Sequence, residues 1–237
     1  MFITALTAVT GSFQDALEES SRVLAIRGRV VPSTLDNIRL RAEYSDGTVV
    51  EGEDKIPEDG KVIQKVTLIP GNVTAHPEAL DAIRQADIII FGPGSLFTSV
   101  IPNLLISKIV DEISKHQALK MYICNVMSQP GETSGFTASD HLKVFIEHSR
   151  KNIVNCCLVN SGRLEYQLLL KYARQKSFPV ILDRERIREM GVVVFEADVV
   201  SRTDYLRHDS QKIAKEIINC YNLYSRKKWN ELNRKLS

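Results

Sequence analysis

Small and hydroxyl-bearing residues crowd the stretch Gly92-Pro93-Gly94-Ser95-Leu96-Phe97-Thr98-Ser99-Val100-Ile101-Pro102-Asn103, directly after the apolar run Ile88-Ile89-Ile90-Phe91. Gly92 and Gly94 let the backbone come close to a ligand, and Ser95, Thr98 and Ser99 offer hydroxyls. Pro102 suits the first turn of a helix, whose free N–H groups attract anions. A phosphate is the group such a loop would hold. The stretch lacks the lysine of a P-loop, departs from G-x-G-x-x-G, and contains no G-x-S-x-G elbow that would make Ser95 a nucleophile. On the residues alone, a ligand loop and an ordinary tight connection both stay open.

The elements that must position this loop follow from periodicity. Residues 1–9 read as the end of a helix, and Ser12 as the cap of a second one with Phe13, Ala16, Leu17, Val23 and Leu24 on its apolar side and Gly28 past its end. Between about residues 30 and 70 the rhythm becomes period two: Ile38, Leu40, Ala42 and Tyr44 alternate with Arg39, Arg41 and Glu43, then turn at Asp46-Gly47. This predicts an inserted antiparallel β-ribbon, either a lid or dimer contact or a flap packed on a sheet edge. After Pro70, strands at 87–91, 119–124, 153–159, 179–182 and 192–196 alternate with helices opening at Pro77, carrying Leu105, Ile109 and Ile113, and spanning 139–149 and 164–175. The expected fold is α/β, a Rossmann-like, mostly parallel sheet with helices on both faces, in a single domain over 1–237 that ends in a helix at about 209–237.

Open parallel sheets bind ligands beyond the carboxyl ends of their strands, so Gly92 to Ser95, Asn125, Asn160 with Ser161, and Asp183 are expected to line one crevice. Asn125 opens a second polar loop, 125–133, expected to serve a ligand or another subunit. Nearer the end, Arg207 is a candidate for phosphate recognition through its rigid fork of donors. His208 reads as a surface or cap residue rather than a base, and Asp209 as the cap of the last helix.

Composition narrows the partners. The chain has 237 residues, 43% of them hydrophobic and 25% charged, with 31 basic and 29 acidic side chains for a net charge of +2. That balance provides no global field for nucleic acid or an acidic membrane. No apolar run approaches a membrane span, and the start does not read as a signal peptide, so a cytoplasmic protein is expected. Cys124, Cys156 and Cys157 sit in apolar runs and no C-x-x-C spacing occurs, so the four cysteines, with Cys220, read as buried free thiols rather than a zinc or redox site.

The loop at 92–99, then Pro102-Asn103-Leu104-Leu105, the loop at 125–133 and Asp140-His141-Leu142, together with Gly28 to Pro32, Asp46-Gly47 and Gly52-Glu53, resemble the YvcK-like gluconeogenesis factor family. These are bacterial relatives of the phospholactate transferase CofD. The resemblance implies a Rossmann-like protein that binds nucleotide sugars of the UDP type and acts in envelope, cell-shape and central carbon homeostasis. By motif match, Gly92, Gly94, Ser95 and Thr98, then Asn125, and further on Tyr172 and Arg207, would face the nucleotide sugar. For Tyr172, an aromatic face beside a nucleobase stands against simple helix packing after Leu168 and Leu169.

The family pattern begins with a strand and a Gly-Gly-Gly-Thr-Gly turn that this chain does not contain, so roughly the first third of the pattern is expected to be missing. The leading expectation is a regulatory binding protein, with a homodimer covering bare sheet edges and a protein partner not identified by the sequence. A transferase using a nucleoside diphosphate donor is the alternative; there magnesium would need carboxylates such as Glu132, Asp140 and Asp183, whose other readings are loop hydrogen bonding, first-turn helix charge and strand-end capping in turn. An inactive, shortened remnant is the second alternative.

Overall fold

The computed structural model describes residues 2–23, 27–149, 153–201 and 205–225. Four strands, β4 (Ile88–Phe91), β5 (Leu119–Ile123), β6 (Cys156–Asn160) and β7 (Val193–Ala197), form a parallel sheet in that spatial order. Alternation along β5 shows why the sheet carries two helical layers. Leu119, Met121 and Ile123 face a cluster that includes Cys156, Leu158 and Val193, closed by Ile213 and Cys220 of helix α9 (Ser210–Ser225). Tyr122 and Cys157 face the larger core with Leu142 and Phe145 of α6 (Ala138–His148) and Ile187 of α8 (Arg184–Glu189). The α/β, mostly parallel architecture expected from the strand and helix rhythm is the one observed, with a separate antiparallel ribbon.

That ribbon is β1 (Arg39–Tyr44), β2 (Val49–Glu51) and β3 (Ile63–Ile69), ordered β2-β1-β3. Leu40, Ala42 and Tyr44 are buried and the intervening residues exposed, as period two requires. It packs on the helical layer: β3 lies against α4 (Ile101–Leu104), and the Val66 N–H donates to His148 Nε2 of α6 at 3.2 Å. A short 3₁₀ turn, Ile56–Asp59, links β2 to β3, and the buried Tyr44 hydroxyl donates to the Ile56 carbonyl at 2.7 Å.

Four expectations change. Residues 179–182 are not a strand: apart from an isolated bridge between Met127 and Pro179, the segment runs beside the second loop through Ser128 N–H to Phe178 O and Val180 N–H to Val126 O. Pro179 has no N–H for a ladder, and Asp183 already precedes α8. The helix expected across Leu105 to Ile113 is broken, because buried Ile106 adopts an extended conformation between α4 and α5 (Ser107–Lys115). In the N-terminal hairpin of α1 (Phe2–Thr10) and α2 (Phe13–Val23), Ser12 accepts from the Asp15 N–H as a cap, yet Phe13 and Val23 are exposed; the buried stripe is Ala16, Leu17 and Ser20. The ribbon sits on helices, not on an edge of the parallel sheet. Leu24 and the last stretch of the expected C-terminal helix, 226–237, lie outside the described residues.

The sheet edge at β4 has no partner strand among the described residues. Helix α3 (Pro77–Arg84) packs on α5 beside it, and α7 (Tyr166–Ala173), with no buried residue, joins the cluster of Val126 and Met127 at the beginning of the second loop.

Candidate functional site

At the end of β4 the chain turns through Gly92, whose φ of +86° and 3.2 Å approach of an ideal Cβ to the Ile123 carbonyl both favour glycine. The helix then begins earlier than the sequence suggests. Leu96–Val100 forms a π turn, with the Val100 N–H donating to the Ser95 carbonyl at 3.0 Å, so Ser95 stands at the cap and the free N–H groups belong to the residues after it, not to a helix opened by Pro102. One of those groups already has an anion. The Phe97 N–H donates to Glu132 Oε2 at 3.1 Å, and the Thr98 hydroxyl donates to Glu132 Oε1 at 3.0 Å. Gln129 Nε2 donates to the same Oε1 at 3.1 Å. Glu132 is 4% exposed, and burial pushes its pKa up against the pull of these donors.

On the other side of the loop a cavity of about 360 Å³ is lined by Gly92, Pro93, Gly94, Ser99 and Asn103 at its polar end and by Ile89 and Ile90 of the open strand below. Ser33 Oγ donates to Asn103 Oδ1 at 2.6 Å, and Asn103 Nδ2 donates to the Ser99 carbonyl at 2.9 Å, which fixes the rim. Ser95 and Thr98 do not line this cavity.

Asn125 lies half-buried just past β5. Immediately before it, the Cys124 carbonyl accepts from His208 Nε2 at 3.1 Å. His208 belongs to the short hairpin of β8 (Val200–Ser201) and β9 (Arg207–His208), and burial lowers its pKa. It is therefore half-buried and not the cap of the last helix. It joins the hairpin to the second loop, a contact across 84 residues of sequence that no local signal announces. Asp209 does cap α9, accepting from the N–H groups of Gln211 and Lys212 at 3.0 and 3.1 Å.

Arg207 is exposed, its guanidinium carbon 4.8 Å from the centre of the Tyr205 ring, and Lys171 Nζ lies 4.4 Å from the same ring. Tyr172 is half-buried and packs against the small cluster of Val126, Val200 and Leu206, the contact that the packing alternative describes. The structure thus gathers Gly92, Gly94, Ser95, Thr98 and Asn125 at the ends of the adjacent strands β4 and β5. Tyr172 and Arg207 stand around the β8–β9 hairpin, which reaches that place through His208 and Val126.

Asn160 and Asp183 do not join the crevice as free groups. Asn160 Oδ1 accepts from the N–H groups of Gly162 and Val199, both at 3.2 Å. Asp183 accepts from Thr137 Oγ1 at 2.8 Å and from the Ser139 N–H and hydroxyl at 2.9 and 2.5 Å, bracing the start of α6. Burial alone would raise its pKa, but these donors outweigh it and hold the carboxyl below the usual range. Asp140 closes a capping box with Thr137. Both oxygens of Glu132 and Asp183 and the Oδ2 of Asp140 are thus engaged by protein donors, and among the described residues no group of three or more His, Cys, Asp or Glu side chains is placed to hold a metal ion. They do not fit a magnesium centre as arranged.

The profile described as 2-phospho-L-lactate transferase CofD matches residues 1–200. The chain belongs to the CofD family. Within it, this CofD-family protein is 43% identical over 220 residues to the gluconeogenesis factor of Bacillus subtilis, a match covering 92% of this chain and 69% of that one. A relative from Nostoc sp. is 45% identical over 224 residues, 93% of this chain but 49% of its own length. The chain therefore spans about half of the Nostoc relative. A crystal structure from Bacillus halodurans superposes with a TM-score of 0.86 at 42% identity, covering 92% of this chain and 70% of that one. The CofD-family fold and its gluconeogenesis-factor relatives agree with the resemblance carried by the loops at 92–99 and 125–133.

Proposed function

We propose that this chain binds a nucleotide sugar of the UDP type and acts as a regulatory protein of the gluconeogenesis-factor kind, in the cytoplasm, linked to envelope, cell shape and central carbon homeostasis. The observation that carries the reading is the cavity beside Gly92 and Gly94, where bare backbone and the Ser99 and Asn103 side chains meet at the end of a parallel strand. Diphosphate oxygens suit such backbone donors, and the exposed Arg207 and Lys171 supply positive charge near the second loop. Titration of the chain with UDP-sugars in a calorimeter tests it. Saturable heat with one or more of them supports the reading, and the absence of binding to every UDP-sugar removes it.

A second reading is a transferase moving a phosphorylated group from a nucleoside diphosphate donor to a hydroxyl. It is favoured by the match of residues 1–200 to the family of the 2-phospho-L-lactate transferase CofD. A magnesium-dependent product formed from a nucleotide donor would establish it. Under either reading the edge of β4, which has no partner strand among the described residues, favours a homodimer, which sedimentation would reveal.

A further inference from the structure

Glu132 presents a problem of its own. A carboxylate that is 4% exposed is costly to bury, and among the described residues it makes no ion pair that would offset the cost. What it does have is three donors from two different loops: the Phe97 N–H and the Thr98 hydroxyl from the first, and the Gln129 amide from the second. Its own backbone is clamped. The Glu132 and Thr133 N–H groups both donate to the Gln129 carbonyl, at 3.1 and 2.8 Å, and Thr133 Oγ1 accepts from the Gln129 N–H at 2.9 Å. The neighbouring Gly131 lies flat against the backbone of Pro57. The side chain therefore projects from a turn fixed on one side by the ribbon and reaches the start of the helix on the other.

An apolar residue here would fill the same space but would leave the Phe97 N–H, one of the orphan donors of a helix start, without a partner. We propose that Glu132 is a positioning residue: its carboxylate is the internal anion that fixes the loop at 92–99, so that a ligand phosphate meets this loop from the Gly92 and Gly94 face and not at the helix start. The second half of that statement rests on the nucleotide-sugar reading; the first half does not.

The test has two arms. In ligand-free protein, amide hydrogen exchange at Phe97 and Thr98 is compared among wild type, Glu132→Ala and Glu132→Gln, with the amides of α9 as an internal control. The expected result is exchange about tenfold faster or more at Phe97 and Thr98 with α9 unchanged. Sodium formate, a carboxylate small enough for the vacated space, slows that exchange again in Glu132→Ala and does nothing to wild type. Unchanged exchange at Phe97 and Thr98, or an equal effect of formate on both proteins, overturns the proposal. If Glu132→Ala does not fold, Glu132→Gln decides by the same local comparison. In the second arm, Glu132→Gln is expected to weaken UDP-sugar binding roughly tenfold while keeping a cooperative melting transition. Equal affinity in wild type and Glu132→Gln overturns the role in binding. Should wild type bind no UDP-sugar at all, the functional reading falls, and the exchange arm still decides whether Glu132 positions the loop.

Discussion

The Pro57 carbonyl occupies the place where a Cβ on residue 131 would stand, so Gly131 and Pro57 meet backbone to backbone. Gly131 also has a φ of +81°, which costs any other residue conformational energy. Substitution Gly131→Ala combines strain with overlap against main chain, and is expected to destabilise the fold by about 2 kcal/mol or more, measured by urea unfolding. A loss below about 0.5 kcal/mol would mean that the ribbon is free to shift away from the second loop.

Gly92 and Gly94 separate folding from binding. A Cβ on Gly94 would lie 3.4 Å from Ser99 Cβ and 3.6 Å from Val100 Cγ2, contacts that an alanine tolerates, while Gly92 has both a positive φ and a carbonyl at 3.2 Å. Gly94→Ala is expected to change stability by no more than about 0.5 kcal/mol yet weaken nucleotide-sugar binding, and Gly92→Ala to lower stability by roughly 1–3 kcal/mol. Thermal melting read beside calorimetry distinguishes them, and a Gly94→Ala protein that binds normally would move the ligand away from this cavity.

Tyr44→Phe removes the donor to the Ile56 carbonyl without altering the packing of a fully buried ring. The expected cost is about 1–2 kcal/mol, with the amides around the 3₁₀ turn exchanging faster. An unchanged midpoint in denaturant would show that the turn does not depend on this bond.

Mild acid weakens the fold through buried histidines. Burial lowers the pKa of His141, His148 and His208 below the ordinary 6.5, so the unfolded chain takes up protons that the folded one resists. Their contribution is fully present above that value and is lost as pH falls from it toward the lower folded values. His148 shows the structural reason: with Nδ1 against the Val144 carbonyl at 2.8 Å, Nε2 must stay unprotonated to accept the Val66 N–H, while Glu147 favours and Lys65 opposes its charge. The melting temperature is expected to drop between about pH 7.5 and pH 5.5, with a shallower drop in His148→Asn. A flat profile over that interval would contradict it.

Much of the fold could be read from the chain because its elements bury one face at a regular period. Leu40, Ala42 and Tyr44 announce β1, and Ile213 and Ile217 announce the face of α9 that covers the sheet. The misreadings have physical causes. Val180-Ile181-Leu182 has strand-like composition, but Pro179 cannot join a ladder and the segment pairs with a loop. Helix α8 was invisible because only Ile187 among its six residues is buried. The break at Ile106 serves core packing, which periodicity does not encode. For the candidate site, the glycine-rich turn after β4 and the polar loop after β5 were legible from their position and residue types. Glu132 was legible as a carboxylate that bonds within loops, but its partner Thr98 was not, and neither was the contact of His208, because each partner is brought near only by the sheet, from 34 and 84 residues away.

All four cysteines are buried and free, and burial raises the Cys124 and Cys220 thiols to about 12 and those of Cys156 and Cys157 well above their ordinary range. At neutral pH hardly any thiolate is present for alkylation. The natural sequence is thus a quiet background for site-directed labelling: a single cysteine placed at exposed Lys61 beside the ribbon, or at exposed Arg174 beyond α7, would take a maleimide dye selectively. Pairs of such dyes would turn the spacing between ribbon and ligand loops into an optical signal without first stripping the protein of its own sulfur.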